Sequence, residues 1–154
     1  MKVGIIVHSH TGNTLSVAEK LKDAIVAKGH SVQIEQVSAF NDNPAPNEAV
    51  KLKDIPDTSS YDVLLFGAPV RAFSLSAVMK AYLAQLASLD GKKVGCFITE
   101  QLPFAWMGGR QAMGQMKSAC KAKGAAPIQS GIVNWSSKKR EEKISNVLTS
   151  LSSI

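Results

Sequence analysis

Cysteine is scarce in this chain: Cys96 and Cys120 are the only two in 154 residues. That is too few for a disulfide scaffold, so a reducing cytoplasm is the expected location and both thiols are expected as small core residues. Long apolar runs are missing as well. The longest, from Val63 to Val70, carries Gly67 and Pro69, whereas a membrane span needs about 18–20 apolar residues. The stretch Val3–Val7 stops at His8 and is too short for the core of a signal peptide. Charged residues make up 19% of the chain against 45% hydrophobic ones, a balance that excludes disorder. The length fits one domain spanning 1–154, large enough to bury a core.

Acidic residues are rare in the second half. Residues 1–76 hold seven Lys/Arg against eight Asp/Glu, residues 77–154 hold eleven against four, and the net charge is +6. This asymmetry predicts a basic face, to which Arg110, Lys117, Lys121 and Lys123 belong. Nucleic acid is not its expected partner. The cluster Lys138-Lys139-Arg140 with Lys143 is interrupted by Glu141 and Glu142, and its helix offers no interleaved aromatic platform.

Periodicity supplies the fold class. Lys2–Val7, Asp62–Phe66, Lys93–Ile98 and Ile128–Val133 are short, β-branched and apolar, the pattern of buried strands, with Pro127 tolerated at the entrance of the last. Val32 and Ile34 alternate with polar residues as in a half-exposed strand. Helical spacing marks Leu15–Ile25, ended by Gly29, then Leu75–Leu86, Ala112–Cys120 and Ile144–Leu151, the last with Ser136 or Ser137 as its N-cap. Residues 38–61, with Pro44, Pro46 and Pro56, read as a loop containing one short helix around Asn47–Lys53. Apolar strands alternating with amphipathic helices imply a three-layer α/β/α sandwich around a five-stranded parallel sheet of order 2-1-3-4-5.

Ser9-His10-Thr11-Gly12-Asn13-Thr14 lies between the first strand and the first helix, at the strand end where such sheets bind ligands. Three hydroxyls, a side-chain amide, a glycine and a helix N-terminus can hold a phosphate dianion without Lys or Arg. This suits a terminal monophosphate better than a triphosphate. Neither the triphosphate loop Gly-x-x-x-x-Gly-Lys-Ser/Thr nor the dinucleotide fingerprint Gly-x-Gly-x-x-Gly is present there. The plainer alternative is helix capping by Thr11 or Asn13. His8 and His10 share a face in an extended chain, but no third ligand has compatible spacing and no metal site is expected.

The loop from Ser9 to Thr14, Tyr61-Asp62, Gly67-Ala68-Pro69-Val70 and Gly108-Gly109 together resemble the flavodoxin family over essentially the whole chain. The resemblance implies bound FMN, its phosphate on Ser9–Thr14. It further implies that the ring lies between two loops, Pro69-Val70-Arg71-Ala72-Phe73 and the segment from Thr99-Glu100-Gln101 through Phe104 and Trp106 to Gly108-Gly109. A flat apolar ring needs such walls, and Phe73, Phe104 and Trp106 are three of only nine aromatic residues. Packing or a homodimer contact is their alternative reading. Backbone donors at Arg71, Ala72, Gly108 and Gly109 are expected to reach the polar edge of the ring.

Arg71 departs from the acidic surroundings of the flavin in low-potential members of the family. It points either to solvent or to the ring, and a guanidinium near N1/O2 would stabilise the reduced anion and raise the two-electron potential. The sequence therefore reads as an FMN-binding electron carrier working with a redox partner protein. The alternative is an FMN-dependent NAD(P)H:quinone-type oxidoreductase, for which the basic face offers an anionic cosubstrate surface. A cofactor-free interaction module on the same fold is the third reading. No side-chain acid, base or nucleophile is required by any of them.

Overall fold

Five short segments lie side by side as parallel strands in a computed structural model that describes residues 1–125 and 128–154. Pro127, expected at a strand entrance, lies outside the described residues. The strands are β1 (Lys2–Val7), β2 (Ser31–Gln36), β3 (Val63–Arg71), β5 (Lys93–Glu100) and β6 (Ile128–Asn134). Their order is β2-β1-β3-β5-β6, and a two-residue strand β4 (Ser74–Leu75) pairs antiparallel with β3. Setting β4 aside, this is the expected order 2-1-3-4-5. β1 lies between β2 and β3, with Val3 opposite Val32 on one side and Val63 on the other, and β3 is the central strand.

Because alternate strand residues point to opposite faces, β3 feeds two cores. Leu64 and Phe66 join Met79, Tyr82, Leu83, Met116 and Cys120 beneath α2 (Ala77–Gln85) and α3 (Gly109–Ala122). Val63 and Leu65 join Ile5, Leu21, Ile25, Phe97, Val147 and Leu151 beneath α1 (Asn13–Val26) and α4 (Arg140–Leu151). The result is the three-layer sandwich. Each large side chain buried this way contributes about 1.5–3 kcal/mol. Cys96 and Cys120 are both buried, their Sγ atoms 4.0 Å apart, as core residues should be.

Four expectations change. No helix forms at 47–53. Ala39 instead bridges antiparallel to Leu52, and the Phe40 N–H donates to Lys51 O at 2.8 Å. The Asn41 side chain supplies the turn, accepting from Lys51 N–H and donating to Ala49 O, both at 2.7 Å. Segment 67–71 is strand rather than loop: Pro69 pairs with Thr99, and β3 reverses into β4 through Ala72 (φ 49°) and Phe73 (φ 60°). Two left-handed residues form the turn that matches strand twist, and without glycine this costs about 1–2 kcal/mol per residue. α2 starts after Ser76, whose Oγ accepts from the Met79 N–H, so Leu75 belongs to β4. α4 starts after Lys139 without a side-chain cap; the Ser137 Oγ accepts from the Lys139 N–H, and Ser136 donates to Gln101 O.

Candidate functional site

The chain segments leaving the carboxyl ends of β1, β3 and β5 converge on a cavity of about 260 Å³. It is lined by His10, Thr11 and Asn13 from the first, Pro69, Val70 and Arg71 from the second, and Thr99, Glu100 and Gln101 from the third. All nine belong to the set singled out by sequence. The apolar strands place them there, because parallel pairing from Val3↔Val63 to Pro69↔Thr99 brings the three strand ends level.

The first segment is fixed at both ends. The His8 N–H donates to Gly67 O at 3.0 Å. Thr14 Oγ1 lies 2.7 Å from Thr99 Oγ1, a buried hydrogen bond tying the loop to β5. Gly12, at φ 93°, is the N-cap of α1, and neither Thr11 nor Asn13 caps the helix. Ser9 Oγ turns inward to accept from the Leu15 N–H at 3.3 Å. Asn13, the first residue of α1, thus stands on the cavity wall, and a helix N-terminus at a cavity favours an anion.

Behind this loop is a cluster that sequence reasoning missed. His8, 2% exposed, places Nδ1 2.9 Å from Ser76 Oγ and Nε2 2.6 Å from Asp42 Oδ1. The other carboxylate oxygen, Asp42 Oδ2, is 3.1 Å from His10 Nδ1. Burial holds His8 below its ordinary pKa of 6.5, with Arg71 adding to the effect against the opposing pull of Asp42. Partial burial pushes the Asp42 carboxyl up, but the hydrogen bonds from His8 and His10 outweigh it and hold it below 3.8. Asp42 lies 34 residues from His8 on the loop closed by the Ala39–Leu52 bridge, and no local pattern announces such a contact.

Among the described residues, two buried side-chain nitrogen or oxygen atoms lack a hydrogen-bond partner, Arg71 Nη1 and Glu100 Oε1. Both residues line the same cavity. Buried polar atoms are rarely left unpaired, so a pair of them at one cavity marks a place made for a polar ligand. The donor set fits a flavin mononucleotide: hydroxyls, an amide and helix N–H groups for the phosphate, a cation and a carboxylate for the polar edge of a ring. Arg71 therefore belongs to the cavity rather than to bulk solvent. Glu100 Oε2 accepts from Asn134 Nδ2 at 2.9 Å. Desolvation raises the Glu100 pKa, and that hydrogen bond opposes the rise.

The remaining predicted residues lie around the cavity rather than on its wall. Gly108 and Gly109 are buried against the other loops. A Cβ on Gly108 would meet Phe73 Cα at 2.8 Å, and one on Gly109 would meet Glu100 Oε2 at 2.4 Å. Ala72 and Phe73 form the exposed turn. Phe104 and Trp106 stack on each other, 6.1 Å between centroids and 6° between planes. Phe73, Phe104 and Trp106 are 61%, 55% and 68% exposed, large apolar surfaces grouped on the loops beside the cavity.

A second cavity, of about 570 Å³, opens beside Pro103 and Phe104 and is lined by Ser136, Ser137, Lys138, Lys139 and Lys143. Lys143 Nζ donates to Asn134 Oδ1 at 2.6 Å, which connects this basic surface to Glu100 through Asn134. Arg140 covers the Trp135 ring at 5.1 Å. No group of three metal-ligating side chains occurs among the described residues, and no described helix is long and apolar enough to cross a membrane.

Comparison with known proteins places the chain in a family. The family model described as NADPH-dependent FMN reductase matches residues 1–140. A flavodoxin of Megasphaera elsdenii is 31% identical over 137 residues, 86% of this chain and 85% of its own. Protoplast secreted protein 2 of Saccharomyces cerevisiae is 31% identical over 113 residues, 64% of this chain, and the match spans 56% of the yeast protein's length. Among solved structures, oxidised Flavodoxin 2 of Bacillus cereus superposes with a TM-score of 0.70 at 20% identity, covering 97% of this chain and 96% of that one.

Proposed function

The chain belongs to the NADPH-dependent FMN reductase family and is a flavodoxin-like FMN-binding redox protein, and from that premise we propose that it is an FMN-dependent oxidoreductase that oxidises NAD(P)H and reduces a quinone-type acceptor. The observation that carries this reading is the Arg71 guanidinium, buried at Nη1 without a partner on the wall of the cavity. FMN, when bound, would supply two-electron redox chemistry between a nicotinamide and the acceptor.

The chain's own residues bind, orient and tune. Thr11, Asn13 and the first-turn N–H groups of α1 receive the phosphate, with Ser9 and Gly12 shaping the turn and Thr14 anchoring it to Thr99. Pro69, Val70 and Gln101 border the ring, and Arg71 meets its polar edge. A positive charge there favours the reduced anion, which suits two-electron exchange with a nicotinamide better than single-electron shuttling at low potential. Exposed Phe73, Phe104 and Trp106 offer flat apolar surface to a nicotinamide, a quinone or a second copy of the chain. The cavity beside Phe104, with Lys138, Lys139 and Lys143 on its wall, suits the phosphates of the dinucleotide.

The absorbance spectrum and FMN titration of purified protein come first, since a protein that takes up no FMN would be an interaction module. Steady-state oxidation of NADPH and NADH by the FMN-loaded protein, with a quinone present, then tests the reaction. Turnover supports the oxidoreductase. FMN-loaded protein that shows no turnover but exchanges electrons with a reduced protein donor is a carrier, the second reading, which the likeness to the Megasphaera flavodoxin favours.

A further inference from the structure

The cluster behind the phosphate loop allows each of its protons to be placed. Asp42, held as a carboxylate, can only accept hydrogen bonds. Both imidazole nitrogens that face it, His8 Nε2 at 2.6 Å and His10 Nδ1 at 3.1 Å, therefore carry hydrogen. His8, buried and kept neutral, has its single proton on Nε2, so its Nδ1 accepts from the Ser76 hydroxyl at 2.9 Å. Ser76 Oγ in turn accepts from the Met79 N–H at 3.3 Å. Every site on His8 is satisfied, and burial outweighs the pull of Asp42 toward a charge there. His10 is different. Its Nδ1–H is committed to Asp42, so a neutral His10 presents only a lone pair at Nε2. His10 is half-exposed and lines the cavity with Thr11 and Asn13, where a phosphate dianion meets that lone pair unfavourably and an N–H favourably.

We infer that His10 is a phosphate-contacting residue that must become an imidazolium to make its contact, that Asp42 positions it by fixing its tautomer, and that FMN binding takes up a proton. The proton comes from solvent and goes to His10 Nε2. The charged and titratable groups facing His10 are Asp42 from the 39–52 loop, His8 across that carboxylate, and, on the same cavity wall, Arg71 from the end of β3 and Glu100 from the end of β5. Asp42 favours the imidazolium, while His8 stays neutral. The cluster also makes the site selective for a phosphorylated flavin over riboflavin, because only the dianion gives the cation a partner. This inference rests on the placement of the FMN phosphate at Ser9–Thr14.

The test is titration calorimetry of FMN and of riboflavin into apoprotein at pH 7.5, in two buffers of different ionisation enthalpy. A phosphate monoester has its second pKa near 6 and is almost wholly dianionic at that pH. Wild type should take up more than about 0.3 proton per FMN and none with riboflavin. His10→Gln, at a half-exposed position, should bind FMN more weakly with no uptake. Between pH 7 and 8.5 the wild-type Kd for FMN should rise by up to about tenfold per pH unit and that of His10→Gln should stay flat. Asp42→Asn, with thermal melting to verify its fold, should lose part of the uptake while still binding. Equal uptake in wild type and His10→Gln, or none in wild type, overturns the inference while leaving the phosphate site in place. Riboflavin binding as tightly as FMN overturns both.

Discussion

Asn134 donates from Nδ2 to Glu100 Oε2 at 2.9 Å while its Oδ1 accepts from Lys143 Nζ at 2.6 Å. A second donation, to Leu102 O at 3.1 Å, fixes the start of the loop that follows β5. A fully buried amide thus holds a buried carboxylate at the cavity and ties it to the basic surface. Asn134→Leu keeps the volume but strips Glu100 of its side-chain donor, while the Gly109 N–H remains. Leaving a buried polar group unsatisfied costs about 1–3 kcal/mol, more when it is charged. The unfolding free energy should fall by that amount, read as a lower urea midpoint with the m-value unchanged, and the deficit should narrow at low pH, where Glu100 is neutral.

His8 makes stability depend on pH. Its folded pKa is depressed below 6.5, by burial first, so the unfolded chain binds more protons than the fold as pH falls through 6.5. The stability it contributes is present above about 6.5 and is lost progressively as pH drops below that value. The slope for one such group is at most about 1.4 kcal/mol per pH unit. Asp42 acts in the same direction at lower pH, since its carboxyl is held below 3.8. Urea melts of apoprotein should show decreasing stability from pH 7 to pH 5, with a shallower decrease for His8→Gln. Stability that is constant or rises over this range would contradict the burial of a neutral His8.

Two glycines of α3 should respond oppositely to the same substitution. At Gly109 a Cβ would lie 2.4 Å from Glu100 Oε2 and 3.2 Å from Ile132 Cγ2. The carboxylate cannot swing away without losing Asn134, so the clash should cost about 1–3 kcal/mol and exceed the gain in helix propensity of about 1 kcal/mol. Gly114 is exposed, in the same helix, with nothing within 4 Å of its Cβ position. Gly114→Ala should raise stability by up to about 1 kcal/mol. Thermal melts of the two variants, with FMN affinity measured alongside, check both: Gly109→Ala should lose affinity and Gly114→Ala should not.

What was legible in the sequence followed from short-range regularities. The runs Val3–Val7, Val63–Phe66 and Val94–Ile98 are apolar on both faces, and their alternation with helical spacing led to the sheet and its order. That order puts Ser9–Thr14, Pro69–Arg71 and Thr99–Gln101 at one edge. The misses came from interactions between distant residues or from backbone geometry that residue type does not encode. Asn41 closes the 39–52 loop by side-chain hydrogen bonds, which displaced the expected helix and carried Asp42 to His8. The turn at Ala72-Phe73 places two non-glycine residues at positive φ, against their local preference. Asn134 reads only as a polar residue at a strand end; its role depends on Glu100, 34 positions earlier. The stacking of Phe104 on Trp106 is likewise a choice made by the folded loop.

Arg71 ties the fold to the redox reading. Its Nη1 is buried without a partner at the end of β3, where pairing of Arg71 with Ser74 fixes the backbone. With the ring in the proposed position, a guanidinium placed so would favour a negative charge on it. The charge on bound flavin changes on reduction, so the side chain acts differentially on the two redox states rather than on affinity alone. Arg71→Ala should therefore lower the two-electron midpoint potential of FMN. For a two-electron couple, about 30 mV corresponds to about 1.4 kcal/mol of differential stabilisation, the scale expected for loss of one charged hydrogen bond. Arg71→Lys should recover part of the shift, because the charge remains and the planar fork is lost. Spectroelectrochemical titration of the three proteins reads this directly. Identical potentials in wild type and Arg71→Ala would remove the guanidinium from the ring and, with it, the main structural argument for the oxidoreductase over the carrier.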